Sequence, residues 1–105
     1  MLINKTPHPV TIVNEASEVI RVIAPEGEPI RLTAKIVAAE PIDGVPTSRT
    51  EFGEAENLPA PQPGTFFIVS QIVKNACLDR RDLLVPAEVV RDANGVIVGC
   101  KSLGR

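Results

Sequence analysis

Apolar residues in this chain fall into short clusters separated by Pro, Gly, Asn and Asp, the pattern of short strands joined by tight turns. The first cluster, residues 9–13, follows Thr6-Pro7-His8-Pro9, whose two prolines hold the entry extended. A polar turn at 14–17 leads to a second strand at 19–23, closed off by the Pro- and Gly-bearing segment 25–29. A third strand begins at Ile30 with the clearest alternation in the chain. Ile30, Leu32, Ala34 and Ile36 share one face and Arg31, Thr33 and Lys35 the other, which predicts a core face and a wet face. Asp43-Gly44, between Ile42 and Val45, is the strongest hairpin signal, because such a two-residue turn needs positive φ that Asp and Gly tolerate. It pairs the continuation of the third strand with residues 46–52. Counted outward from the turn, Ile42 faces Val45, Ala38 faces Arg49 and Lys35 faces Phe52.

Residues 54–64 carry Pro59, Pro61 and Pro63 and read as a stiff, extended crossing inside the domain. From Gly64 onward the local signals agree closely. Thr65-Phe66-Phe67-Ile68-Val69 reads as a buried strand, and Ser70 as a cap. Ile72, Val73, Ala76 and Cys77 then recur at helical spacing, which predicts a helix from Gln71 to near Leu78 with Lys74 and Asn75 outward. Four charges at 79–82 precede an apolar stretch at 83–86. The last hairpin runs through 89–91, turns at Asp92-Ala93-Asn94-Gly95 and returns through 96–100. Either an Asn-Gly turn or a longer turn bulged at Gly95 fits, leaving its register open by one residue. The predicted fold class is α+β, mainly β: a twisted or half-rolled antiparallel sheet of six to eight short strands with one short helix. A closed barrel is compatible with the pattern but not demanded by it.

The length, 105 residues, suits a single domain spanning 1–105. Trp and Tyr are absent and Phe52, Phe66 and Phe67 are the only aromatics, so the core must be aliphatic, which favours sheets. Ten prolines and seven glycines argue against a helical bundle. A basic or apolar leader is absent and no apolar run approaches the roughly 20 residues that span a bilayer, so a cytoplasmic location, the host cell cytoplasm, is expected. Cys77 and Cys100 lie 23 residues apart without a C-x-x-C or a neighbouring His, and read as free, buried thiols. Sheet edges need cover, which predicts a homo-oligomer, a dimer or a multiple of it.

Charge divides the chain: residues 1–63 hold nine acids and five bases, whereas 64–105 hold six bases and four acids. With a net charge of −2 and no interleaved basic and aromatic residues, binding to nucleic acid is not expected; a small anion is. The candidate chemistry is correspondingly narrow. His8, the single histidine, has no Ser, Cys or carboxylate placed beside it in sequence and reads as a turn residue. Glu51, Glu54 and Glu56 read as an acidic edge at least as well as paired carboxylates or a divalent-ion site. Neither catalysis, a metal nor a cofactor is therefore expected. The sharper candidate is the junction at Ser70 and Gln71, where the first free N–H groups of the helix would face an anion. Arg80, Arg81 and Arg91 would supply guanidinium forks, the site gathering Arg81 and Arg91 in particular, with Asp82 orienting one arginine. Arg49 is a further contributor from the middle hairpin, where an arginine on the core face needs an acidic or anionic partner. Both sites carry a plainer reading: Ser70 as a cap alone, with Arg80 and Arg81 paired to Asp79 and Asp82, and Arg49 in a structural ion pair with Glu51 or Glu40.

Five motifs point beyond the residues themselves. Asn4-x-Thr6-Pro7-His8-Pro9, Arg49-Thr50-x-Phe52-Gly53-Glu54, Pro63-Gly64-Thr65-x-x-Ile68-Val69-Ser70, Arg81-Asp82-Leu83-Leu84-x-Pro86 and Val90-Arg91-Asp92-x-x-Gly95-x-Ile97-x-Gly99-Cys100 are spread from residue 4 to residue 100. Together they resemble a family of small proteins of tailed phages, prophages and some actinobacteria. The resemblance implies an origin more than an activity. By analogy with compact phage-borne proteins, it suggests an anti-defence sponge that sequesters an anionic, nucleotide-derived signalling ligand without turning it over. The alternative is a structural or interaction protein, a small virion component or a binder of a host protein.

Overall fold

Three hairpins and one strand–helix–strand unit, each encoded locally, meet along seams between residues far apart in the chain. The computed structural model describes residues 1–105. In chain order its elements are β1 (Leu2–Asn4), β2 (Val10–Val13), β3 (Val19–Ile23), β4 (Arg31–Ile42), β5 (Val45–Glu56), β6 (Phe66–Ile68), α1 (Gln71–Ala76), β7 (Leu83–Arg91) and β8 (Ile97–Gly104). The mainly-β class with a single short helix is the one predicted. Six strands form a sheet in the order β1-β6-β7-β8-β2-β3, and β4 pairs only with β5. Antiparallel hairpins join β2 to β3 and β7 to β8. The seams β1–β6, β6–β7 and β2–β8 run parallel. A parallel neighbour requires a crossover, which α1 supplies between β6 and β7. The sheet nearly closes on itself, because Asn4 at the end of β1 bridges to Pro25 just beyond β3 and accepts a 2.9 Å hydrogen bond from the Glu26 amide.

β6 shows why the 65–69 run lacks alternation. Phe67 and Val69 pack with Val73, Cys77, Leu83 and Val85 beneath the helix. Ile68 points the other way, to Val10, Ile23 and Cys100 inside the rolled sheet. Both faces of this strand are buried, so both carry apolar residues. Cys77 and Cys100 are buried free thiols on opposite sides of it, as expected.

The Asn4-x-Thr6-Pro7-His8 motif is a knot of hydrogen bonds. The Asn4 side chain is fully buried; its Nδ2 donates to His8 O at 2.8 Å and to Ile23 O at 2.9 Å. Its Oδ1 accepts from the Thr6 amide at 2.9 Å and from Thr6 Oγ1 at 2.6 Å. One amide thus satisfies the backbone where the sheet closes, the condition for burying a polar group at low cost.

The helix is shorter than predicted, ending at Ala76, with Ser70 as its N-cap. Only Val73 and Cys77, four apart, reach the core; Ile72 and Ala76 are exposed, because fewer than two turns present a single narrow stripe. Lys74 is not outward: its Nζ folds back onto Leu83 O at 2.9 Å. In the last hairpin the longer turn is realised. Asp92 Oδ1 accepts from the Asn94 and Val96 amides, Gly95 takes positive φ, and Arg91 pairs with Ile97.

The largest departure lies in β4 and β5. These two strands of 12 residues form an arm joined to the body at its base. There Leu32 and Ala55 pack against the helix-side core, and Asn57 Nδ2 donates to Pro29 O at 3.2 Å. Asp43 and Gly44 both have positive φ, as the turn requires, and Ile42 pairs with Val45. An irregularity between Ala39 and Ile42 shifts the pairing beyond them, so Arg49 faces Val37 rather than Ala38, and Phe52 faces Ala34 rather than Lys35. The expected core face is core only at Ile30 and Leu32; Ile36 is 76% exposed. Pairing partners share a face, so Ala34, Ile36, Ala38, Ser48, Thr50 and Phe52 make an uncharged face that continues from the core. Lys35, Glu51 and Arg49 lie on the opposite face.

Candidate functional site

Between Cys77, at the end of α1, and Leu83, where β7 begins, the chain turns back, and the 79–82 charges lie in this turn. Arg80 and Asp82 form a two-point pair, Nε to Oδ1 at 2.9 Å and Nη2 to Oδ2 at 2.7 Å, with both side chains 15% exposed. Arg80 Nη2 also donates to Pro59 O at 2.8 Å, tying the proline-rich crossing to this turn. The hydrogen bond from Arg80 holds the Asp82 carboxyl below its ordinary range, outweighing the opposing effect of burial. The same bond raises the Arg80 guanidinium.

Beside this pair is a shallow recess of about 430 Å³ lined by Lys74, Leu78, Arg80, Arg81 and Arg105. Lys74 is committed to Leu83 O, and the Arg105 guanidinium lies 5.3 Å from the centre of the Phe66 ring. Arg81 is exposed and makes no hydrogen bond or ion pair within the chain. Asp82, paired with Arg80, is the nearest carboxylate in sequence to Arg81 and is already taken. Three cations, Lys74, Arg81 and Arg105, thus share one opening with Arg80, whose charge is held in the pair with Asp82 and lies near Asp79. That arrangement suits an anion with several oxygens.

The sequence-predicted residues are distributed differently from the expectation. Arg81 and Asp82 lie at the recess, but Asp82 orients Arg80, its neighbour two residues away, and neither Arg81 nor Arg91. Arg91 is separated from them by the length of β7, roughly 25 Å for an extended strand, and donates to Gly95 O at 2.9 Å in its own hairpin. Arg49 lies on the arm, six residues beyond Ala55 or roughly 20 Å of strand, and pairs with Glu51 at 3.4 Å. Its plainer reading, a structural ion pair, is the one found. Ser70 Oγ accepts from the Val73 amide at 3.4 Å, and Gln71 Nε2 donates to Asn75 Oδ1 at 2.9 Å, so both are occupied in capping and bracing α1. A six-residue helix has too little aligned backbone to act as an anion site by itself. Ser70 instead borders a second groove of about 330 Å³, with Lys5, Thr6, Arg31 and Phe52.

Lys74 and Arg105 were the residues missed. Lys74 was hard to find, since it lies in α1 and joins the 79–82 charges only because the chain turns back after Cys77. Arg105 could not be found, because only sheet pairing brings residue 105 beside Phe66. His8 is exposed and its side chain makes no hydrogen bond, and no three His, Cys, Asp or Glu side chains gather at one point. No helix is long and apolar enough to cross a membrane. Compared with known proteins, the chain matches no family model, no curated protein and no solved structure.

Proposed function

We propose that this protein binds a small, multiply charged anion of the nucleotide-derived class, without catalysis, in the recess of Lys74, Arg80, Arg81 and Arg105. The observation that carries the reading is the convergence of Lys74, Arg81 and Arg105 on one opening, beside Arg80 and an Asp82 carboxylate that is already paired. Arg80 is held rigidly by Asp82 and Pro59, so it is preorganised and adds little ordering cost on binding. Arg81 has its full complement of donors free. The Phe66 ring, 5.3 Å from the Arg105 guanidinium, helps hold that cation at the opening. No nucleophile or general base is among the residues lining the recess, which supports capture over turnover. The resemblance to phage proteins supplies the setting: sequestration of a host signalling nucleotide in the host cytoplasm, as an anti-defence sponge.

Calorimetric titration with ADP-ribose, cyclic dinucleotides and inorganic pyrophosphate tests this. Arg81→Ala should weaken nucleotide binding about 10- to 150-fold, the loss of one charge-assisted fork, with little change in melting temperature. Arg81→Lys should recover only part, since an ammonium lacks the planar two-point contact. Absence of heat across the panel overturns the reading. The second reading, an interaction protein, is favoured by one observation, the uncharged and exposed face of the β4–β5 arm.

A further inference from the structure

We infer that the uncharged face of the β4–β5 arm is covered by a second copy of this chain, in a two-fold dimer. The body and the arm together expose 7248 Å². A monomer of this mass, 11.2 kDa, ordinarily exposes roughly 5,700 Å², so the chain carries about 1,500 Å² more than a self-contained domain. Its radius of gyration, 16.7 Å, likewise exceeds the roughly 13 Å of a compact domain of this length. An excess of that size on each of two chains falls in the range of about 2,000–5,000 Å² in total that permanent homodimers bury.

The arm is where the surplus lies, and its chemistry selects a face. A two-stranded ribbon is marginal in water by itself, yet this one extends 12 residues per strand. Along its paired middle, from Ala34 to Ala38, the charges of Lys35, Arg49 and Glu51 lie on one side, where Arg49 and Glu51 pair with each other. On the other side this stretch carries Ala34, Ile36, Ala38, Thr50 and Phe52, and Ile36 and Phe52 are 76% and 52% exposed. This face follows, across an irregularity between Leu32 and Ala34, on Leu32 and Ala55, which already pack on the core. At the tip of the arm, Pro41 in β4 and Pro46 in β5 lack the N–H that an added strand would need, which disfavours edge pairing there and leaves the face as the surface to cover. A neutral surface needs no opposite charge in its partner, and large Ile36 and Phe52 set among small Ala34 and Ala38 make it self-complementary, which a two-fold axis exploits. Arg81 lies outside this face, so the dimer and the anion site stand or fall separately.

Light scattering coupled to gel filtration at micromolar concentration should give about 22 kDa, or a multiple of it, for the wild type. Ile36→Asp combined with Phe52→Asp should give about half that mass, with the far-ultraviolet spectrum retained, because both side chains are exposed within one chain. Lys35→Ala, on the charged face, should leave the mass unchanged. A milder Ile36→Ser, read by dilution as at least a tenfold weaker dimer, carries the test if the double variant does not fold. A wild type of about 11 kDa overturns the inference and leaves the face to a different protein. A dimer indifferent to both Ile36 variants places the interface elsewhere and overturns it equally.

Discussion

Ile68 in β6 and Ile36 in β4 have the same side chain in the same secondary structure, yet one is fully buried and the other 76% exposed. The difference is in what the neighbouring elements do. In the body, β6 lies between β1 and β7, with the helix over one face and the rolled sheet over the other. In the arm, β4 has a single neighbour and no layer on its uncharged face. The two regions share strand propensity and differ in cover. Stability should therefore reside in the body, and the arm should contribute through what it binds.

The contrast is sharpest for large side chains. Phe67→Ala should cost about 3–5 kcal/mol, since it empties a fully packed position beneath the helix, whereas Ile36→Ala in a dilute, monomeric sample should change stability by less than about 0.5 kcal/mol. Denaturant midpoints measure both. A costly Ile36→Ala under monomeric conditions would mean that the arm packs on its own body, and the contrast would fail.

Asn4 makes the next largest expected effect. Asn4→Ala removes the side chain that satisfies His8 O, Ile23 O and the Thr6 amide, and should cost about 3 kcal/mol, more than the loss of a typical single hydrogen bond. Equilibrium unfolding of the variant reads this directly. A near-neutral result would show that water replaces the amide and that the closure of the sheet is softer than its geometry.

The smallest effect is pH-dependent and concerns the turn at the recess. Asp82→Asn should cost about 1.5–2 kcal/mol at pH 7, by weakening a charge-assisted pair to Arg80. Asp82 has a folded-state pKa below the ordinary carboxylate value of about 3.9, so its contribution is complete above that value and is lost as pH falls through the lower, folded one. The gap between wild type and variant should accordingly be constant near neutrality and close in acid. Chemical unfolding from pH 7 to pH 2 checks it, and a gap that persists in acid would assign the effect to packing.

Much of the local architecture was legible in the residues. Asp43-Gly44 marked its turn because positive φ is a property of two residues and their backbone. Ser70 marked the start of α1 because a cap acts on an amide three residues away. The Arg80–Asp82 pair, two residues apart, was within reach of the same reading, which instead left the partner of Asp82 open. The proposed anion cluster was less legible. Arg49, Arg81 and Arg91 carry similar chemistry, but strand length separates them and sequence spacing does not measure that.

The amino-acid sequence by itself determined the turns, the cap, the two-sided burial of β6 and the mainly-β class, because these depend on φ preferences, short-range hydrogen bonds and the period of apolar residues. Only the tertiary structure decided the parallel seams, the closure of the sheet at Asn4 and Pro25, and the slip that moved Arg49 opposite Val37. It also decided that Ile36, on the apolar face beyond Leu32, stays exposed and that Arg105 lies over Phe66. The physical reason is common to all of these. Each depends on contacts between residues far apart in sequence, whose free energy is set by which surfaces become available once the whole chain has closed, and no local pattern carries that information.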